Sequence, residues 1–449
     1  MNPKFSWCSG LALTVLLVSA ALTACGYKTN DYSRAPTAVA LARYNAASGT
    51  PDTTLGGTGL VTTEVSLSRD DVAFATVVQP DGKIISVGTS FTTPKSVVAI
   101  RYNANGTLDS SFGTNGITVT SLPSADASGF AATLQADGKL LVAGRSCPLS
   151  GSSSFLLLRY HTDVSTGTPG TLDTGFGTSG IVTTAIPSGS ATSANAIALS
   201  GTNILLAGQS KIGGRLVIAL AQYASSGALD STFGSGGIVT TPIFSLDAAA
   251  AAVAVQGNGK IVAAGLAGSL AADVWDVALL RYNADGSLDT TFGGGDGIVT
   301  TDIGSSSNYA NAVALQADGK IIVAGNAFAN SRANTSDIAV LRYNVDGTLD
   351  TAGFGSPNGY VTTNVGAFDN GFAVAVQPAD SRIVVAGNAD DGMGDRLALL
   401  RYNADGSLDS GFGTSGIVTR KASGPSIIAG ALGVALQPAD GAIVVVGYD

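Results

Sequence analysis

The chain has 449 residues, a formal net charge of −9, 45% hydrophobic residues and only 12% charged ones. Of its 32 acidic residues Glu64 alone is a glutamate, so a favoured helix former is nearly missing while aspartate, a turn former, is abundant. This balance excludes a helical bundle; the lack of charge blocks excludes a disordered chain, and the lack of clustered Lys and Arg excludes a nucleic-acid partner.

In chain order, Lys4 precedes an apolar run from Leu11 to Ala24. The run has the length of a secretory signal and is too short for a comfortable membrane span, so residues 1–24 are expected to be an export leader. It closes with Leu22-Thr23-Ala24-Cys25, which resembles the lipobox of bacterial lipoproteins. That resemblance implies cleavage between Ala24 and Cys25 and acylation of Cys25. Gly26 in place of Asp implies the outer membrane in cells that have two. Each buried methylene contributes about 0.8 kcal/mol, so several acyl chains hold the protein to the membrane. Loss of Lys4 with the leader, one positive charge fewer, takes the net charge from −9 to −10. Residues 25–37 read as a lipidated polar tether. Cys8 leaves with the leader, and Cys147 is expected to be a packed small hydrophobe without a disulfide partner.

From residue 38 onward the chain repeats itself. A tyrosine stands at 44, 102, 160, 223, 282, 343 and 402, and Asn283-Ala-Asp-Gly-Ser-Leu-Asp289 returns unchanged at 403–409. A period near 60 residues marks one supersecondary unit copied in tandem. Each copy parses into four short strands. The first follows glycine, as in Gly297-Ile-Val-Thr-Thr301, and the second alternates, as in Asn311-Ala-Val-Ala-Leu-Gln316. A turn of the type Gln316-Ala-Asp-Gly-Lys320 leads to the third, Ile321 to Gly325, and the fourth is Ile338 to Asn344. Four antiparallel strands per repeat make a propeller blade. The chain stops at Ile443 to Gly447, before the last blade has a fourth strand, whereas Ala38 to Asn45 is a fourth strand with no blade before it. The expectation is an all-β, seven-bladed β-propeller over 38–449, its last blade closed by the N-terminal strand, with no open sheet edge left to template aggregation.

The recurring string Arg-Tyr-Asn-x-Asp-Gly-x-Leu-Asp-x-x-Phe-Gly, followed by Gly-Ile-Val-Thr-Thr and by Ala-Leu-Gln-x-Asp-Gly-Lys-Ile-x-Val-Ala-Gly, resembles the delta-60 repeat of bacterial exported and surface proteins. That resemblance implies a β-propeller and supplies no assigned activity or catalytic residue. The fourth copy departs from it, with Gln222-Tyr223 for Arg-Tyr and Ser200-Gly-Thr-Asn203 for the lysine turn; Leu55 replaces the first phenylalanine.

The repeated residues read first as scaffolding. Phe112, Phe176, Phe233, Phe292, Phe354 and Phe412 are expected to plug gaps between sheets. Each repeat arginine, such as Arg281, precedes an aspartate, such as Asp289, and is expected to pair with it. The phrase Asn283-x-Asp285-Gly286-x-x-Asp289 carries hard-cation oxygens, but an Asx turn is favoured over calcium because Arg281 opposes a cation. His161, the one histidine, stands where the repeat has Asn. No His-containing triad and no Cys/His metal cluster assemble, so neither catalytic residues, nor a metal, nor another cofactor is assigned.

One end of the propeller carries the constant turns and the other the variable loops. The variable face is the candidate interaction surface, with Phe244, Trp275, Tyr309, Phe328 and Phe368 as its aromatic anchors. The leading reading is a monomeric, lipid-anchored envelope scaffold that binds a protein or glycan without catalysis. The alternative is an envelope hydrolase or oxidoreductase with a site on the propeller axis. An apolar axis favours the first and converging carboxylates the second.

Overall fold

The computed structural model describes residues 37–66, 69–269, 274–304, 307–328, 335–390, 395–420 and 430–449. These form 28 strands, whose order is β1 (Val39–Tyr44), β2 (Leu60–Thr63), β3 (Asp71–Val78), β4 (Ile84–Ser90), β5 (Ser96–Tyr102), β6 (Ile117–Thr120), β7 (Ala125–Leu134), β8 (Leu140–Pro148), β9 (Ser154–Tyr160) and β10 (Ile181–Thr184). They continue with β11 (Ser190–Ser200), β12 (Asn203–Ile212), β13 (Arg215–Tyr223), β14 (Ile238–Thr241), β15 (Asp247–Val255), β16 (Ile261–Ser269), β17 (Val274–Tyr282), β18 (Ile298–Thr301), β19 (Ser307–Leu315) and β20 (Ile321–Phe328). The last are β21 (Ser336–Tyr343), β22 (Tyr360–Thr363), β23 (Phe368–Val376), β24 (Ile383–Asp390), β25 (Asp395–Tyr402), β26 (Ile417–Arg420), β27 (Gly430–Leu436) and β28 (Ile443–Tyr448).

The strands pair antiparallel in chain order as β3 to β6, β7 to β10, β11 to β14 and β15 to β18. An eight-stranded sheet holds β19 to β26, its two halves joined by one parallel pairing of Ser336 with Phe368. The remaining sheet runs β2-β1-β28-β27, with Leu41 opposite Val446. The first strands β3, β7, β11, β15, β19, β23 and β27 touch one another in succession, and β27 touches β3 again. Their free edges therefore surround a common axis.

The strand frame differs from the sequence reading by one strand. Gly297-Ile-Val-Thr-Thr301 does not open a sheet; it pairs back on β17, Val299 opposite Leu279, as its outermost strand. The reason is local. The Asn283–Gly297 segment folds back so that Arg281 N donates to the Gly297 carbonyl and Asp289 N to the Arg281 carbonyl, both at 2.9 Å. Consequently the N-terminus contributes two strands, β1 and β2, to the sheet that holds the terminal hairpin β27–β28.

Burial explains the composition of each strand. Second and third strands such as β4 and β5 are buried along their whole length, β4 including Ser86, Thr89 and Ser90 beside Ile84, Ile85 and Val87, while outermost strands such as β14 have four residues and expose Thr240. Every first strand carries a bulge, as at Asn311 between Ala310 and Ala312. The bulge drives the Tyr309 carbonyl toward β20, where a Cβ on Gly325 would lie 1.7 Å from it. That crowding is why the second strand of each repeat contains glycine. In the turn before it, Gly319 adopts φ +85°, open to glycine at no steric cost, and Asp318 Oδ1 accepts the Lys320 N–H.

Candidate functional site: the seams, the axis and the variable face

The phrase that repeats most faithfully builds the joints between sheets. Six repeat tyrosines donate their hydroxyls to the threonine ending the preceding outermost strand, from Tyr102 on Thr63 to Tyr402 on Thr363, at 2.7–2.9 Å. Burial pushes these phenols well above their usual range. The arginines hold the aspartates at 2.6–2.8 Å: Arg43 with Asp52, Arg101 with Asp109, Arg159 with Asp173, Arg281 with Asp289, Arg342 with Asp350 and Arg401 with Asp409. Each guanidinium also donates to a carbonyl of the following sheet, Arg281 to Val345 and Arg401 to Ala46 across the closing joint. Five of them stack on the repeat phenylalanines at 4.2–4.9 Å from the ring centroid. Those rings, with Phe233, are fully buried. One joint is built differently: Gln222 and Asn203 both donate to Asp230, so two amides replace the arginine and the lysine together.

The oxygens of the Asn-x-Asp-Gly phrase have partners within the chain. Asp285 Oδ1 accepts both the N–H and the hydroxyl of Ser287, and Asp289 is held by Arg281 and Lys260. Among the described residues no group of three or more His, Cys, Asp or Glu side chains is placed to hold a metal ion. His161 lies against Gly167, with Nε2 3.8 Å from Asp173 Oδ1.

Around the axis, the bulged positions carry Phe74, Phe130, Ala251, Phe372 and Leu432 together with two amides. Phe74 and Phe130 meet edge to face at 5.5 Å, and Phe372 and Leu432 pack with Tyr448. The amides are used structurally: Asn195 Nδ2 donates to the Ala250 carbonyl and Asn311 Nδ2 to the Gly371 carbonyl, each on the following first strand. The aspartates of the first strands sit near the variable end and hold backbone N–H groups. Asp71 accepts from Val65 and Ser66, Asp126 from Lys95, Asp247 from Leu216, and Asp369 from Val365 and Gly366. Burial pushes the Asp369 carboxyl up to about 6, assisted by the charges of Asp337 and Asp390.

The variable face holds the five aromatic candidates, and it treats them unequally. Trp275, Tyr309, Phe328 and Phe368 are 4–8% exposed and close into one cluster with Ala249 and Leu266, Tyr309 and Phe328 meeting edge to face at 5.5 Å. These rings pin loops of three successive repeats and do not stand out as surface anchors, which corrects that part of the sequence reading. Phe244 alone is exposed, at 78%. Cys147 is 4% exposed and is not a free thiol, which corrects its reading as an unpaired residue; Ala24 and Cys25 lie outside the described residues.

Sequence reasoning missed Arg145, which is buried near the axis and whose guanidinium burial holds down to about 10. The available signal was the position after the second-strand glycine. It reads Thr89, Arg145, Gln209, Leu266, Asn326, Asn388 and Tyr448 in strands that otherwise scarcely vary.

The family described as "Domain of unknown function (DUF5122) beta-propeller" matches residues 79–112, 135–176, 203–233, 256–292, 316–352 and 379–412. Among solved structures, a streptogramin B lyase is similar at 9% identity, covering 92% of this chain and 98% of its own, with a TM-score of 0.41. An ulvan lyase matches at 12% identity over 77% of this chain and 82% of its own, TM-score 0.45. An arabinofuranosidase from Fusarium graminearum matches at 9% over 74% and 93%, TM-score 0.44. No curated protein matches the chain. The chain is an all-β protein built from β-propeller repeats.

Proposed function

We propose that this chain is a lipid-anchored, monomeric β-propeller of the bacterial outer membrane that serves as a non-catalytic binding scaffold. Its repeats are of the delta-60 kind, and the eight-stranded sheet counts as two of seven blades. Support for the count comes from the unbroken succession of first strands and from the backbone hydrogen bonds at each joint, Gly56 N to Asn105 O through to Gly413 N to Ser48 O. The lipobox ending in Cys25 supports the anchor and the envelope location.

One observation carries the non-catalytic reading. The bulged residues that encircle the axis are aromatic, aliphatic or amide, and the nearby aspartates are engaged with backbone N–H groups. A hydrolase or oxidoreductase on the axis would need unengaged acids or metal ligands converging there. Binding then falls to the variable loops held by the rigid sheets, with a protein or glycan as partner.

Affinity capture from intact envelopes, comparing wild type with Cys25→Ala, tests this. The expected result is a shared, saturable partner with membrane retention lost only in Cys25→Ala. Retention unchanged by Cys25→Ala would remove the anchor, and turnover of an envelope substrate abolished by changes at the axis would remove the scaffold reading.

A further inference from the structure

The described chain begins at the variable end. Thr37 donates its N–H and hydroxyl to Asp70, just ahead of β3, and its carbonyl receives the Asp71 N–H. Cys25 lies twelve residues earlier in the sequence, a span of at most about 40 Å when fully extended. An anchor at Cys25 therefore leaves the variable face within reach of the bilayer.

That face is divided by chemistry. Over the β7–β10, β11–β14 and β15–β18 sheets three apolar side chains stand in solvent, Leu149 at 81%, Phe244 at 78% and Val274 at 44% exposure. Phe244 adopts φ +48° three residues after Thr241, where the next repeat places Gly304 at φ +80° three residues after Thr301. A bulky residue in that left-handed region is strained, and here it gains no burial in return. Beside it, β12 and β13 extend into a hairpin with Ile212 opposite Arg215 and a Gly213-Gly214 tip at φ +59° and +87°. Lys211 and the exposed Arg215 flank this tip, and among the described residues neither forms an ion pair. Of the sector's carboxylates, Asp126 and Asp247 accept backbone N–H groups instead, and Asp276 lies on β17 at the sector's far side. Asp302, which follows β18 and acts on Asp276 of β17, marks the acidic border of this sector, and Asp337 and Asp390 in the later repeats carry the same sign.

Apolar tips set among cations match the boundary of an anionic bilayer, where headgroups take the charge and acyl chains take the rings. We infer that the variable face docks on an anionic lipid surface through Leu149, Lys211, Arg215 and Phe244, with the lipid anchor as its tether. This rests on the anchored reading proposed above and deepens it by naming the bilayer itself as a partner.

Amide exchange of the full chain on phosphatidylcholine vesicles, with and without phosphatidylglycerol, tests the docking. Exchange around Leu149, Lys211–Arg215 and Phe244 should slow severalfold only on the anionic vesicles, while the Asp137, Asp318 and Asp405 turns at the other end keep their rates. Removing the two cations should weaken docking about thirtyfold. The variant Lys211→Ala/Arg215→Ala/Phe244→Asn should therefore lose the protection yet stay vesicle-bound through Cys25; asparagine suits the left-handed backbone. Vesicle binding without protection of these tips, or protection that the triple variant retains, as capture by a protein contaminant would give, overturns the docking alone. Binding that Cys25→Ala leaves unchanged overturns the anchor alone, and absence of binding overturns both.

Discussion

Replacing Arg281 by alanine should be among the costlier single changes on the constant face. The side chains of Arg281 and Asp289 are 5% and 4% exposed and 2.6 Å apart, so truncating one partner leaves a buried charge, a loss of about 3–5 kcal/mol. Two details adjust this. Lys260 Nζ stays 2.6 Å from Asp289 Oδ2 and offsets part of the loss, while the bond to the Val345 carbonyl and the stack on Phe292 at 4.4 Å disappear as well. The expected cost is about 3 kcal/mol for Arg281→Ala. The joint at Gln222, Asn203 and Asp230 supplies an internal control, because it meets the same geometric demand with neutral donors. Arg281→Gln combined with Lys260→Asn copies it and should cost only about 1 kcal/mol, since Asp289 keeps two neutral donors and only the Val345 carbonyl loses its own. Urea unfolding followed by tyrosine fluorescence, with the slope unchanged between variants, reads the difference. A loss under about 0.5 kcal/mol for Arg281→Ala, or a double variant less stable than Arg281→Ala, would refute the reasoning.

Three further outcomes follow from the same structure. The raised Asp369 carboxyl binds its proton more tightly in the folded chain than in the unfolded one, so stability should fall as pH rises from about 4 to about 6; Asp369→Asn, which still accepts from Val365 and Gly366, should flatten that fall in a pH series of melting curves. Asp109 is shifted the other way, to about 2, held there by Ser111, Lys83 and Arg101 against the cost of its burial; its contribution is present above about pH 4 and should vanish between about pH 4 and 2, a loss that Asp109→Asn would not show. Gly325→Ala places a Cβ 1.7 Å from the Tyr309 carbonyl, and should either unfold the protein or lose several kcal/mol with the bulge at Asn311, seen as lost amide protection in β19 and β20.

Much of this architecture was legible because the repeat writes its turns in residues with fixed conformational demands. The Asp-Gly-Lys turn and the Tyr phrase recur with the geometry their composition requires. The strand frame was less legible: a four-residue segment such as Ile298–Thr301 is compatible with either neighbouring sheet, and only the fold-back of Asn283–Gly297 settles its partner. Burial on the variable face was hidden for a related reason. Trp275, Tyr309 and Phe368 are separated by loops without period, so sequence spacing does not disclose that they meet. The arginines were read as ion pairs, while their reach to Val345 or Ala46 in the next sheet depends on a joint that no local pattern encodes.

Backbone amide exchange across Val39–Tyr44 tests the closing of the ring most directly. Pairing with β28 on one side and β2 on the other predicts protection of Leu41 and Ala42 equal to that of the central strands β4 and β5. Exchange there as fast as in the exposed Ser150–Gly151 loop would contradict it.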